Sequence, residues 1–383
     1  MNAAEAVDLS VIIVNYNVAL LVLKVVASLE GQRFAGQSGG DGRLEILVID
    51  NASSADDLAC LEQLPSSVVF VRNDRNVGFA AANNQGIQRA AGRFLCLLNP
   101  DTRMLDGALD ALLQHLYRHP EVGAVGPKFW ADDERTILLP PGDPPTLSFL
   151  LSGLVGGAMR TVAERHSHAW HRRAMAFWRG RAACPVPMLS GACMLMPRAV
   201  VDRVGGFDPR YFLYYEDADW CRRVRRAGYR LAYVPDAEII HYYNQSAKQD
   251  PQGARGHALR SQARFVGAHY GWLGTQVYKA AQAVSDRVAR CRAAGALQQV
   301  IDLGRPEKPP RIRLTDDPVL ARELAIQIGY DWGFVPSVAA FVSAADFELS
   351  PAVWDRMQPG RYYARLIDPE TLTPLALWSW EKG

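Results

Sequence analysis

A series of short apolar segments, each followed by a stretch with helical spacing, constrains this chain more than any other feature. Residues 9–14, 44–49, 68–71, 93–98 and 122–125 are rich in Val, Ile and Leu and have the length of strands. Between them, residues 18–29, 54–64, 79–91 and 105–117 repeat apolar or small side chains at three- and four-residue steps. This βαβαβα order predicts an α/β fold, a doubly wound and mostly parallel sheet with helices on both faces.

In such a sheet the carboxyl ends of the strands share one edge, and ligands bind there. The run 93–98 ends in Asn99-Pro100-Asp101. Pro100 cannot donate to a ladder and disfavours helix at Asn99, so the chain turns and presents Asp101 at the edge. A carboxylate so placed suits a hard cation that also holds a phosphate. The plainer alternative is a cap for the helix that begins near Met104. The first two strands end in Asn15-Tyr16-Asn17 and Asp50-Asn51-Ala52-Ser53-Ser54 on the same edge. Asn15 and Tyr16 can frame a base, and Asp50 can accept hydrogen bonds from a base or ribose. Turn formation and helix capping are the competing roles for Asp50 and Ser53.

Three further clusters carry chemistry. Gly78 sits at a loop-to-helix junction inside Arg72-Asn73-Asp74-Arg75-Asn76-Val77-Gly78-Phe79, where a phosphate can approach backbone donors. No GxGxxG and no P-loop lysine accompany it, so taken alone the segment is a loop with a helix cap. Tyr214-Tyr215-Glu216-Asp217-Ala218-Asp219 places three acids at a helix start. Glu216 and Asp219 fit as complements of the helix dipole, which also favours an ionised Asp217. The aromatic residues before Asp217 point to a packed cleft. His241 ends the apolar run 238–240 and is either a structural group or a ligand.

The alternation breaks over 131–187, where Pro140, Pro141, Pro144 and Pro145 oppose continuous structure. We read this as an irregular insertion, touching acceptor or membrane, within a first domain of residues 1–253. Strands are expected at 188–196, 229–234 and 238–242, with helices at 198–204 and 216–227. Residues 254–304 form a helical extension, interrupted by Gly267, Gly271 and Gly274, and a linker. Residues 305–383 form a small β-containing C-terminal domain, with a hairpin of 361–367 and 375–380 around Asp368-Pro369-Glu370-Thr371.

Charge and cysteine usage narrow the class. A net charge of +2 argues neither for nor against nucleic acid, but the basic residues are local and no recognised nucleic-acid module appears, so no nucleic-acid partner is expected. Six cysteines without CxxC spacing, several inside apolar runs, suit free buried thiols in a reducing compartment. MNAAEAVDLS lacks a basic stretch followed by an apolar core, and the run 147–159 is too short to span a bilayer. We therefore expect a cytoplasmic protein. Residues 160–181 hold six arginines, three histidines, Trp170 and Trp178 against Glu164 alone. Such a segment suits an anionic surface on the inner face of the plasma membrane or a lipid diphosphate. A solvated insertion or an oligomer contact accounts for it equally well.

The motifs LSVIIVNYN, EILVIDNASS, RNVGFAAANNQGI, FLCLLNPDT, LSGACMLMPR, VGGFDPRYFLYYEDADWCRRVRRAGYR and IIHYYNQS follow one another across residues 8–270. In order and spacing they resemble glycosyltransferase family 2, inverting enzymes with the GT-A fold, and its bacterial rhamnosyltransferase-like branch of surface polysaccharide synthesis. The resemblance implies that Asn15, Tyr16 and Asp50 bind the nucleoside of a nucleotide-sugar. Gly78 and Asn83 would lie near its ribose or sugar, and Gly191 and Ala192 would shape the floor of the sugar site. Asn99 stands where the family's metal motif has its first acid. Asp101 matches the last acid of that motif, and His241 a second ligand to a Mg or Mn cation or to the diphosphate. Asp217 is implied as the catalytic base and Glu216 as the group positioning acceptor or base. The donor implied first is dTDP-rhamnose and second a UDP-sugar, with a glycan or lipid-linked acceptor. A non-catalytic sugar-nucleotide or glycan-binding protein on the same scaffold is the rival, favoured by Asn99 and opposed by Asp101, Asp217 and His241.

Overall fold

The computed structural model describes residues 7–36, 40–143, 146–156, 159–242, 251–291, 300–314, 323–331, 333–343 and 346–383. Pro144, Pro145 and residues 243–246 of the last motif lie outside them. The chain begins β1 (Leu9–Asn15), α1 (Ala19–Glu30), β2 (Leu44–Asp50), α2 (Ala55–Leu61), β3 (Val69–Arg72) and α3 (Phe79–Arg89). It continues through β4 (Phe94–Leu98), β5 (Thr102–Met104), α4 (Ala108–Arg118), β6 (Val122–Trp130), α5 (Leu147–Gly156) and α6 (Arg160–Arg179). Next come β7 (Cys184–Pro185), β8 (Cys193–Pro197), α7 (Arg198–Val204), α8 (Glu216–Arg226), β9 (Arg230–His241) and α9 (Pro251–Cys291). The remaining elements are β10 (Ile301–Asp302), β11 (Arg311–Arg313), β12 (Leu324–Gly329), β13 (Val338–Val342), β14 (Asp346–Glu348), α10 (Pro351–Arg356), β15 (Gly360–Ile367) and β16 (Pro374–Lys382).

Two compact units result, one of residues 1–129, 142–145 and 181–271, the other of 130–141, 146–180 and 272–383. The first is built on a sheet in the order β3-β2-β1-β4-β8-β6-β9-β5, with β7 beside β9. Strands β3, β2, β1 and β4 run parallel, as the βα alternation requires. Beyond β4 the pairings that β8 makes with β4 and β6, and β9 with β5 and β7, are antiparallel. The side-chain period of two divides each buried strand between two cores. Leu9, Val11 and Ile13 of β1, with Phe94, Cys96 and Leu98 of β4, meet α1 and α4 on one face. Ile12 and Val14, with Leu95 and Leu97, meet α3, α7 and α8 on the other. Each fully buried Val, Leu or Ile contributes roughly 1.5–3 kcal/mol. α3 approaches closely because its buried face is Ala80, Ala82, Asn83 and Gly86. A Cβ on Gly86 would lie 2.4 Å from Ile12 Cγ2.

The second unit departs from expectation. The 131–187 stretch is not an irregular appendage of the first domain, because it carries α5 and α6, and residues 130–141 and 146–180 belong to the unit holding the C-terminal sheet. That sheet has the order β10-β16-β15-β12-β13. One face packs Ile326, Ile328, Tyr362, Leu366, Trp378 and Trp380 together. The other exposes Ala325, Ala339 and Ile367, and α6 fills the space above them with Trp170, Ala174, Met175 and Trp178. These four recur at four, five and eight residues, one face of a helix. The two tryptophans that suggested a membrane surface are thus interior, and Trp178 donates its indole N–H to Leu139 O at 2.8 Å. The expected hairpin is present, with β15 and β16 paired antiparallel from Gly360↔Lys382 to Ile367↔Pro374. Elsewhere the pair of strands expected over 229–242 is one continuous strand, β9, and α9 departs from helical geometry at Gly271 (φ 66°). Among the described residues no helix is long and apolar enough to cross a membrane.

Candidate functional site

The parallel register sets Asn15 beside Asp50 and Asp50 beside Arg72, so three strands end level. Asn15 has no exposed surface. Its amide nitrogen lies 2.9 Å from Asp50 Oδ1, 3.0 Å from Ser53 Oγ and 2.7 Å from Asp57 Oδ2. Its Oδ1 accepts from Val18 N. Asn15 therefore fastens the edge internally, and Tyr16, 40% exposed, is the member of that pair open to a ligand. Asp50 is equally buried and also accepts from Ser53 N at 3.2 Å. Ser54 rather than Ser53 caps α2, accepting from Asp57 N, while Asp57 Oδ1 accepts from Ala19 N at 2.8 Å to cap α1. Asp57 gave no separate signal in the sequence, because its partners lie about 40 residues away.

An amide cluster supports the next loop. Asn51 accepts from Asn73 Nδ2 and Val77 N and donates to Asn76 Oδ1 at 2.8 Å, which also accepts from Gly78 N. Gly78 adopts φ 88° and ψ 161°. A Cβ there would meet Phe212 O at 2.7 Å, and Phe79 N donates to that same carbonyl. Asn83 is buried and donates to Phe79 O, so Gly78 and Asn83 serve the backbone at the head of α3. Asn84 holds the Gly206-Phe207 turn by accepting from Phe207 N and donating to Phe207 O.

Asp101 follows β4 and His241 closes β9, whose pairing with β5 aligns Thr102 with His241. Asp101 Oδ1 and His241 Nε2 stand 3.4 Å apart, both nearly buried. Two residues upstream, Asn99 Oδ1 is buried without a hydrogen-bond partner. An oxygen, an imidazole nitrogen and an orphaned amide oxygen are a donor set that fits a hard divalent cation with open positions. Among the described residues no group of three or more His, Cys, Asp or Glu forms a metal cage.

The acids of α8 reach this edge through one short segment. Asn99 N donates to Ala192 O at 2.9 Å, and Gly191 N donates to Asp217 Oδ2 at 3.0 Å. Ala218 N donates to Asp217 Oδ1 at 2.7 Å. Burial raises the pKa of Asp217, opposed by those backbone donors, so the helix start alone does not set its charge. Glu216 is buried, its Oε2 has no hydrogen-bond partner, and burial followed by the Asp217 charge pushes its carboxyl well above the usual range. Both carboxyls are thus pushed upward by burial, and of the two it is Asp217 that receives backbone N–H donors on both oxygens.

The turn that delivers this pair is strained, since Tyr214 and Tyr215 both have positive φ, 67° and 68°. The first part of α9 holds it. His257 stacks on Phe212 with ring centroids 4.5 Å apart, Ser261 donates to Leu213 O, and Gln262 donates to the Tyr215 hydroxyl. His269 Nε2 lies 2.7 Å from Asp219 Oδ1, whose other oxygen accepts from Arg223. Arg226 can only donate to His269 Nδ1, so the His269 proton sits on Nε2 and points to Asp219. Burial raises the Asp219 pKa, but the His269 and Arg223 hydrogen bonds outweigh it and hold the carboxyl below its usual range. The four-residue steps His257, Ser261, Phe265 and His269 were the signal for this face.

Residues 6–266 match the family model described as "Glycosyltransferase like family 2". The chain is 30% identical over 246 residues to the N-acetylglucosaminyl-diphospho-decaprenol L-rhamnosyltransferase of Mycobacterium tuberculosis, covering 60% of this chain and 76% of that one. It is 38% identical over 81 residues to the rhamnosyltransferase WbbL of Escherichia coli, covering 21% and 31%. Among solved structures, GalNAc-T7 with UDP, GalNAc and Mn2+ aligns with a TM-score of 0.47 at 16% identity, over 69% of this chain and 48% of that one. The mannosyltransferase PcManGT of Pyrobaculum calidifontis with GDP-Man and Mn2+ aligns at 0.46 and 17%, over 77% of each. With its motifs in register and the family model matched over more than half its length, the chain belongs to glycosyltransferase family 2.

Proposed function

We propose that the protein transfers a sugar from a nucleotide-sugar to a hydroxyl of a glycan or lipid-linked acceptor, with inversion at the anomeric carbon, in bacterial surface polysaccharide synthesis. The observation that carries this reading is the Gly191-Ala192 segment, which hydrogen-bonds to both Asn99 and Asp217 and so couples the strand-edge donor set to the acid pair. Asp217 takes the proton of the acceptor hydroxyl as that oxygen attacks the anomeric carbon and the bond to the diphosphate breaks on the opposite face. Glu216, protonated beside it, keeps the pair singly charged. Tyr16 faces the nucleoside, with Asp50 held behind it by Asn15. A magnesium or manganese ion bound by Asp101, His241 and the Asn99 oxygen would stabilise the departing diphosphate as a Lewis acid. The relatives named as rhamnosyltransferases favour dTDP-rhamnose over UDP-sugars as donor, and the one acting on a diphospho-decaprenol favours a lipid diphosphate acceptor at the inner membrane surface.

Release of nucleoside diphosphate when donor, acceptor and manganese are supplied tests the reading. Asp101→Ala should abolish turnover and weaken nucleoside diphosphate binding only when metal is present. Equal turnover in metal and in chelator removes the cation from the reading, and no release from any nucleotide-sugar favours a non-catalytic sugar-nucleotide or glycan-binding protein.

A further inference from the structure

Within the second unit, the part of α9 that follows Gly271 leaves apolar side chains in water. Trp272 and Leu273 are 76% and 68% exposed, more than any other large apolar side chain among the described residues, and Val277 and Val284 are exposed as well. At about 100° per residue these four fall on one side of the helix, with Ala280 and Ala283 between them. Gln276 is the polar member of that side. Gly274 and Tyr278, on the opposite side, are buried. The helix therefore packs by one face and offers an apolar one, roughly 18 Å long from Trp272 to Val284. Single exposed apolar side chains are ordinary, whereas a contiguous apolar side headed by Trp and Leu marks an interaction surface.

Its charge selects the partner. Residues 272–285 contain Lys279 and no acid, and the sequence of the same helix adds Arg287 and Arg290 against Asp286. A second copy of this chain would set those cations against their equals, a like-charge contact that costs affinity. An anionic lipid surface attracts them, takes up aliphatic side chains beneath its headgroups and favours Trp at headgroup level. Among the described residues no helix is long and apolar enough to cross a membrane, so this one would lie along the surface. The basic α6 of the same unit does not offer such a face, because its Trp170 and Trp178 are interior.

We infer that the second half of α9 docks the protein on an anionic lipid bilayer, with Trp272 and Leu273 entering at headgroup level and Lys279 meeting the lipid phosphates. The inference goes beyond the glycosyl-transfer reading and does not depend on it, since docking requires no turnover.

Co-sedimentation of the full chain with vesicles of phosphatidylglycerol and phosphatidylcholine in equal parts provides the test. The vesicles should retain the protein at low salt and release most of it at high salt, and pure phosphatidylcholine should retain it less. The paired change Trp272→Ser and Leu273→Ser should weaken retention roughly tenfold or more, the scale expected for withdrawing large apolar side chains from an apolar phase. Lys279→Gln should weaken retention on the anionic vesicles alone. Leu20→Ser, at a 65% exposed position of α1, should leave retention unchanged. Unaltered thermal midpoints show that the variants are folded, as expected for exposed positions. If no vesicle retains the protein, or if the paired variant is retained as well as the unaltered chain, the inference is overturned. It is overturned equally if sedimentation velocity shows self-association that the paired variant abolishes while vesicles retain nothing, which assigns the face to a second copy. Nucleoside diphosphate release is read separately, and its absence would count against the transferase reading alone.

Discussion

Gly78→Ala isolates the contact that ties the head of α3 to the turn before the acid pair. Two costs are visible. At φ 88° and ψ 161° only glycine is at ease, and a residue with a Cβ pays roughly 1–3 kcal/mol there. The added Cβ would also lie 2.7 Å from Phe212 O, a backbone atom that cannot rotate away. Separating the segments sacrifices the Phe79 N–H to Phe212 O bond, 2.7 Å in the native structure, a further ~1 kcal/mol. The sum, about 2–4 kcal/mol, lowers the thermal midpoint by roughly 4–16 °C for a domain of this size. Gly107 supplies the internal control, because it also has positive φ (76°) but no atom within 4 Å of an added Cβ. Gly107→Ala should cost only the local strain, about 1 kcal/mol. Calorimetry or urea titration of both variants, with turnover measured alongside, gives the comparison. If Gly78→Ala costs no more than Gly107→Ala and turns over normally, the close packing of α3 against the Phe212 turn is wrong.

Three other perturbations follow from the same geometry. Asp217→Asn should leave nucleotide affinity nearly intact while lowering turnover by roughly 100-fold or more, and because burial raises both acids, the acid limb of the rate profile should lie above the ordinary carboxylate range. Glu216→Gln should impair turnover less yet stabilise the fold on the alkaline side only, because stability from the raised Glu216 is present at low pH and lost as pH rises through its folded value; a gain at low pH instead contradicts this. His269→Leu removes one of the two partners of Asp219 and should cost about 1–3 kcal/mol, with a fall in kcat and little change in nucleoside diphosphate affinity, whereas unchanged kcat would leave His269 merely structural. In the second unit, burial and then the Arg365 charge depress the pKa of His171 from 6.5 to about 3. The unfolded chain therefore takes up the extra proton first, and stability should fall as pH drops through that window, by up to ~1.4 kcal/mol per pH unit. His171→Leu should flatten this slope in a pH series of denaturant titrations.

What the sequence determined by itself was the alternation and the strand ends. Strand and helix periods are local properties, so the runs 9–14, 44–49 and 93–98 fixed the parallel half of the sheet, and Pro100 and the register that follows set Asn15, Asp50 and Asp101 on one edge. The C-terminal hairpin was legible for the same reason. Tertiary structure decided which of those residues remain available. Asn15 reads as a ligand contact in sequence, but in the fold its amide nitrogen meets acceptors from β2, the following loop and α2. Trp170 and Trp178 look like a surface for membrane until the C-terminal sheet presents Ala325 and Ala339 as the small-residue floor they fill. Ser261, Gln262 and His269 lie more than 40 residues beyond Asp217, and although their helical spacing marks a face, only packing brings that face to the strained turn and to Asp219. The charge of Asp217 was decided there too. A helix start favours ionisation, whereas burial beside Glu216 opposes it, and desolvation is a property of the assembled fold that no local pattern encodes.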